Sequence, residues 1–162
     1  LRKHRFYDSF LFFGIDDFDL SMKFDADFLE VILNYNELVE GAFSLLEYLS
    51  TKDYELHILS NGFYEDTNRK AELSGIKGYF KTITSADEIN IRKPHAEIYQ
   101  FAVDKAGAKI EESIMIGDDW IADVEGALAF GMEAIFFDVF LDQNEGDNFI
   151  TITKLEELKA IL

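Results

Sequence analysis

Cysteine is absent from the 162-residue chain, which excludes disulfides, thiolate nucleophiles and cysteine-based metal sites. Pro94 is the single proline and glycines are few, so no Pro-rich or Gly-rich linker divides the sequence. Basic residues are scarce: 15 Lys and Arg stand against 32 Asp and Glu, a formal net charge of −17. A surface that acidic repels polyphosphate backbones and anionic bilayers, so nucleic-acid polymers and membrane surfaces are disfavoured as partners. No apolar run approaches the roughly 20 residues a bilayer-spanning helix requires. Internal repeats and low-complexity tracts are lacking too. A soluble cytoplasmic protein is the expectation.

What the chain does have is the material for a core, since 48% of its residues are apolar and Phe is abundant. From Tyr54 onward, strand and helix patterns alternate. Tyr54 to Leu59 reads as an apolar strand ending at Ser60-Asn61-Gly62, followed by a helix to about Leu73. Phe80 to Thr84 is a second strand. Pro94 opens a helix through Ala106 that Gly107 ends, the usual asymmetry of Pro at the start and Gly past the end. Ser113 to Gly117 is a third strand, and a helix from Asp118-Asp119 runs to about Phe130. Glu133 to Phe137 and Ile150 to Ile152 complete the strands, and a helix from Lys154 to Leu162 closes the chain. Such alternation predicts an α/β fold, a Rossmann-like parallel sheet covered by helices on both faces.

The first forty residues have another character. Phe6, Phe10 and Phe13 recur at helical spacing, and Leu20, Phe24, Phe28, Val31, Ile32 and Tyr35 do likewise. Gly14 and Asp16-Asp17 between them read as a helix stop and a new N-cap. The expected division is a helical segment over 1–37 and a core domain over 38–162, entered through an amphipathic helix from Ala42 to Leu49.

In parallel sheets ligands bind beyond the carboxyl ends of the strands. Three polar clusters fall there. Ser60-Asn61-Gly62 offers a hydroxyl and backbone N–H groups for phosphoryl oxygens. Lys93 holds a cation beside the stiff Pro94. Asp118, Asp119 and Asp123 cluster hard oxygen ligands of the kind that suit Mg²⁺. Taken singly each is bland: Ser-Asn-Gly is a turn signal, Lys-Pro a solvated helix start, and Asp118 or Asp119 a helix cap. Their order along one α/β sheet is far more specific. His57 inside a strand and the exposed His95 read as structural, and Trp120 either lines the site or packs beneath it.

Ser60-Asn61-Gly62, Lys93-Pro94 and Ile116-Gly117-Asp118-Asp119-Trp120-Ile121-Ala122-Asp123 together resemble the second, third and fourth motifs of the haloacid dehalogenase superfamily, over about Val39 to Asp138. The leading helices resemble the end of that superfamily's helical cap. Arg5-Phe6-Tyr7 to Gly14-Ile15-Asp16-Asp17, with Val39-Glu40-Gly41-Ala42, resembles the YjjG-type nucleotidases, which act on pyrimidine nucleoside 5′-monophosphates.

The resemblance implies a phosphatase mechanism in which an Asp nucleophile forms an aspartyl-phosphate that water hydrolyses. A second Asp, two residues on, protonates the leaving oxygen. It implies that Ser60, Asn61 and Gly62 hold the phosphoryl group and that Lys93 balances the charges of nucleophile and phosphate. It also implies that Asp118 binds Mg²⁺, while Asp119 and Asp123 act through water or orient Lys93. The nucleophile belongs to an Asp-x-Asp motif closing the family's first strand. Asp17-Phe18-Asp19 matches in letters, but the helical phase of the neighbouring Phe residues makes it a cap. The expectation is therefore a core lacking its first strand, with no nucleophile in this chain and no turnover by the chain alone. Two rival functions carry over. A hydrolytic dehalogenase of the same fold needs no metal, which the acidic cluster argues against. A phospho-receiver carries its acidic pair first rather than last, leaving a non-catalytic phosphate- or nucleotide-binding module as the other alternative.

Overall fold

The computed structural model describes residues 5–141 and 148–162. The chain divides into two units, Leu1–Glu37 and Leu38–Leu162.

The first unit packs two helices, α1 (Arg5–Phe12) and α2 (Phe18–Asn34). Their contact is aromatic because Phe recurs one turn apart on each. The Phe6 ring meets Phe24 and Phe28 edge-on at centroid distances of 4.9 and 5.3 Å, and Tyr7 meets Phe18 at 5.3 Å. Gly14, at a φ of 77°, supplies the left-handed turn after α1 that a side chain would resist. Asp17 is the N-cap of α2, its carboxylate accepting a hydrogen bond from the Leu20 N–H at 2.9 Å. Asp16 accepts from the Tyr7 hydroxyl at 2.7 Å. The Asp17-Phe18-Asp19 match is thus a helix start, and no strand precedes it among the described residues.

The second unit is α/β with parallel strands throughout. Its helices are α3 (Ala42–Ser50), α4 (Tyr64–Leu73), α5 (Ala96–Ala106), α6 (Gly126–Phe130) and α7 (Leu158–Ile161). Strands β1 (Leu56–Ser60) and β2 (Phe80–Ser85) pair with Ser60 opposite Ser85. Strands β3 (Ile114–Gly117), β4 (Glu133–Phe137) and β5 (Ile150–Ile152) form a second ladder in that order. Two differences from the sequence reading bear on the site. Pro94, reached through a cis peptide bond, lies in the turn before α5 rather than in its first turn. The helix after Asp119 starts as a π-helical turn, Trp120–Glu125, and becomes α-helical only at Gly126.

The two ladders share both of their faces. Leu59 of β1 and Met115 of β3 pack against one cluster, built from Ile98, Tyr99 and Val103 of α5 with Val124, Ala127 and Phe136. Leu56 of β1 and Ile114 and Ile116 of β3 pack against the other, built from Leu45 and Leu49 of α3 with Ile135, Ile152 and Leu158. The alternation Ile114, Met115, Ile116 between clusters is the period of a strand covered on both sides. β1 and β3 therefore belong to one layer, yet no hydrogen-bond ladder joins them: among the described residues β1 pairs only with β2, and β3 only with β4. The layer is interrupted between them.

His57 carries a testable consequence of the β1–β2 packing. Its Nδ1 lies 2.8 Å from the Thr82 hydroxyl, and burial, aided by the Lys81 charge and opposed by Glu55, lowers its pKa from the ordinary 6.5. The folded state thus prefers neutral His57. The resulting stability is fully present above pH 6.5 and is lost as pH falls from there through the folded-state pKa, because the unfolded chain takes the proton first. Urea unfolding midpoints between pH 7 and 5 should fall more steeply for the wild type than for His57→Gln.

Candidate active site

The carboxyl ends of β1 and β3 meet at one lysine. Lys93 Nζ donates to the Leu59 carbonyl of β1 at 3.0 Å and to Asp123 Oδ1, beyond β3, at 2.6 Å. The two side chains are only 8% and 7% exposed, so this is a buried ion pair. Its position comes from the main chain. The Asn61 side chain clips the Lys93 backbone from both sides, Oδ1 accepting from its N–H at 2.8 Å and Nδ2 donating to its carbonyl at 3.1 Å. The residue after Ser60 is therefore a brace for Lys93.

Ser60 itself is oriented by two donors. Its Oγ accepts from the Gly62 N–H at 3.0 Å and from the Thr67 hydroxyl at 3.2 Å. A hydroxyl has two lone pairs and one proton, so with both lone pairs engaged the proton is left to donate to a further acceptor. Thr67 was not singled out from the sequence. Its signal was its place in the first turn of α4, where its hydroxyl can reach back over the Ser60-Asn61-Gly62 turn.

The acidic cluster divides its work. Asp119 is the N-cap of the π-helical turn, Oδ1 accepting from the Ala122 N–H at 2.8 Å. Asp123 is buried, and its second carboxylate oxygen accepts from the Asp119 N–H at 3.1 Å. Gly117 allows this, because a Cβ there would occupy the space of the Asp123 carboxylate. Asp118, at the tip of β3, is exposed. The three carboxylates predicted as a metal group do not converge: among the described residues no three acidic or histidine side chains gather to hold an ion. Trp120 packs edge-on against Phe136 and Phe149 and donates its indole N–H to Glu125 at 3.1 Å. His95 is exposed at the start of α5.

Tyr99, wholly buried on α5, donates its hydroxyl to the Ala122 carbonyl. Burial, reinforced by the charges of Asp123 and Asp119, raises its pKa well above the ordinary phenol range and keeps it a donor.

A stability test follows from Gly117. Gly117→Ala forces the new methyl group against Asp123 and should cost about 1–3 kcal/mol, the usual scale of overpacking. Gly78→Ala is the control, since a Cβ there meets nothing within 4 Å. Equal denaturant midpoints for the two variants would refute the close approach.

The model of the haloacid dehalogenase-like hydrolases matches residues 19–137, most of the chain. A glyceraldehyde 3-phosphate phosphatase from Methanothermobacter thermautotrophicus is 30% identical over 117 residues, covering 70% of this chain and 52% of that protein. The pyrimidine 5′-nucleotidase PynA of Streptococcus pneumoniae is 29% identical over 102 residues, 62% of this chain and 43% of that protein. The chain thus spans about half the length of these curated relatives. In fold it is similar to the crystal structure of the Bacillus subtilis HAD-hydrolase YfnB bound to magnesium, with a TM-score of 0.84 at 23% identity over 98% of this chain and 70% of that one. With the motif residues and parallel fold described above, this match over most of its length makes the chain a member of the haloacid dehalogenase-like hydrolases.

Proposed function

We propose that the natural protein is a cytoplasmic phosphomonoesterase that hydrolyses small phosphate esters, nucleoside 5′-monophosphates among them. The observation that carries this is the meeting of the three motif clusters at Lys93. A buried ammonium bridges the end of β1 and the loop after β3, beside a Ser60 whose hydroxyl keeps a proton to donate. Oriented donors and a fixed cation are what a transferring phosphoryl group requires. The kinship with a sugar-phosphate phosphatase and a pyrimidine nucleotidase supports the substrate class.

The residues have separate roles on this reading. Ser60 donates to a phosphoryl oxygen, and the Asn61 and Gly62 backbone lines the same cradle. Lys93 offsets the charge of nucleophile and phosphate, held by Asp123 and the Asn61 clip. Asp119 shapes the turn. The exposed Asp118 fits Mg²⁺, which keeps several waters and takes one or two carboxylates together with substrate phosphate oxygens rather than a closed protein cage. Bound there, the ion would supply charge neutralisation to the phosphoryl group.

The nucleophile is assigned to a further strand in the interruption between β1 and β3. Among the described residues neither neighbouring edge is paired, the same two clusters flank β1 and β3, and the carboxyl end of such a strand would fall beside Lys93. An Asp there attacks phosphorus and expels the alcohol, which a second Asp two residues on protonates. Water then cleaves the aspartyl-phosphate to release phosphate.

Phosphate release from a panel of nucleoside monophosphates and sugar phosphates, with and without EDTA, tests the reading. The natural protein should turn over and EDTA should abolish turnover, whereas the 162-residue chain alone should be inactive. Asp118→Asn and Lys93→Ala should each lose roughly 10²-fold or more, the scale of one preorganised electrostatic contact. Because Lys93→Ala strands a buried carboxylate, Lys93→Met combined with Asp123→Asn, which removes both charges, checks that the loss is chemical. Asp17→Asn should leave turnover unchanged. Full activity in EDTA would exclude the metal, and turnover by the chain alone would overturn the assignment of the nucleophile.

A further inference from the structure

Lys93 and Asp123 reach each other from two separate segments, and a third residue joins those segments behind the pair. Lys93 stands three residues before α5, and Asp123 lies inside the π-helical turn. Tyr99, the fourth residue of α5, has no exposed surface. Its ring stacks on Phe130 of α6 at a centroid distance of 5.5 Å and an interplanar angle of 22°. Its hydroxyl donates to the carbonyl of Ala122, the residue immediately before Asp123. Gly126 closes the arrangement, since a Cβ there would collide with both the Tyr99 hydroxyl and Pro94. Pro94 follows Lys93 directly.

The contacts form a ring: Lys93 to Asp123 through the ion pair, Asp123 to Ala122 through the chain, Ala122 to Tyr99 through the hydroxyl, and Tyr99 back to Lys93 through α5. A π-helical turn is wider than an α-helical one and is held by fewer repeating bonds. The depth of the Asp123 carboxylate therefore depends on what holds that turn against α5, and the phenol is the polar group that does so.

We propose that Tyr99 is a positioning residue for Lys93, its hydroxyl fixing the Ala122 peptide so that Asp123 holds the ammonium in place. The proposal rests on the phosphatase reading. Tyr99 touches no reacting atom; it acts through Asp123.

The test is a double-mutant cycle on kcat and KM in the natural protein, with p-nitrophenyl phosphate as probe. Tyr99→Phe keeps the ring and its stacking and removes only the hydroxyl. It should lower kcat about tenfold or more, as small misplacements of a catalytic group do, with KM changing less than about twofold. In a Lys93→Ala background the same change should cost no further kcat, because the group it positions is gone. Val103→Ala, a cavity in the same buried cluster, controls for stability: it should lower the thermal midpoint at least as much and leave kcat within about twofold. A Tyr99→Phe enzyme with wild-type kcat would overturn the proposal. So would a kcat loss repeated in full on the Lys93→Ala background, or one matched by Val103→Ala. A wild type without turnover, or a Lys93→Ala variant as active as wild type, would instead overturn the phosphatase reading and this inference with it.

Discussion

The buried pair of Lys93 and Asp123 is the constraint around which the second unit is organised. Desolvating each charge costs several kcal/mol, and their attraction offsets this only where geometry is good and the remaining donors and acceptors are satisfied. Here the ammonium has the Leu59 carbonyl as a second acceptor, and the carboxylate has the Asp119 N–H as a second donor. Those requirements explain details that otherwise look unrelated. Residue 117 has no side chain because the carboxylate occupies that space. Asn61 spends its whole amide on the Lys93 backbone. The turn after β3 begins with a cap that fixes the Asp119 peptide, so that its N–H can face Asp123.

The same pair bridges the interruption in the sheet. Parallel strands are covered on both faces and stabilise by burial, so an opening within such a layer leaves apolar strands half-covered. β1 and β3 show this: every residue of both is only partly buried, whereas Ala134, Ile135 and Phe136 of β4 are buried. The two ladders are held as one unit by shared helical layers and by Lys93. A strand inserted there would gain two ladders of hydrogen bonds and both apolar faces. Its carboxyl end would emerge beside the ammonium, which links the proposed nucleophile to the architecture itself.

Strand and helix periods carried most of the fold. The apolar runs ending at Ser60 and Gly117 are strands, and the phase of Phe6, Phe10, Phe24 and Phe28 is the aromatic seam between α1 and α2. That phase also separated Asp17 from a catalytic motif it matches in letters. What local pattern missed depends on contacts distant in sequence. Asn61 finds Lys93 thirty-two residues away, and Tyr99 finds Ala122 twenty-three away. Gly126, which follows the π-helical turn, likewise packs against Tyr99 and Pro94, neighbours that local pattern does not show. The carboxylates looked alike as letters and became distinct only once Asp119 had become a cap, Asp123 a buried counter-ion and Asp118 an exposed group.

That division bears on how an acidic protein could handle an anionic substrate. Three carboxylates against one ammonium leave this edge of the sheet with a negative formal balance, and the ammonium is already shared with Asp123. A phosphate ester approaching Ser60 would meet repulsion that the oriented hydroxyl and backbone N–H groups only partly offset, since dipoles do not cancel net charge. A fixed internal pair keeps Lys93 aimed but leaves little of its charge uncompensated. On the proposed reading, a divalent cation at Asp118 cancels that negative balance where the substrate arrives. The arrangement would then supply positive charge from two sources, Lys93 held in place by Asp123 and an exchangeable ion. It would explain why the exposed Asp118 stands beside a capping Asp119 and a buried, paired Asp123.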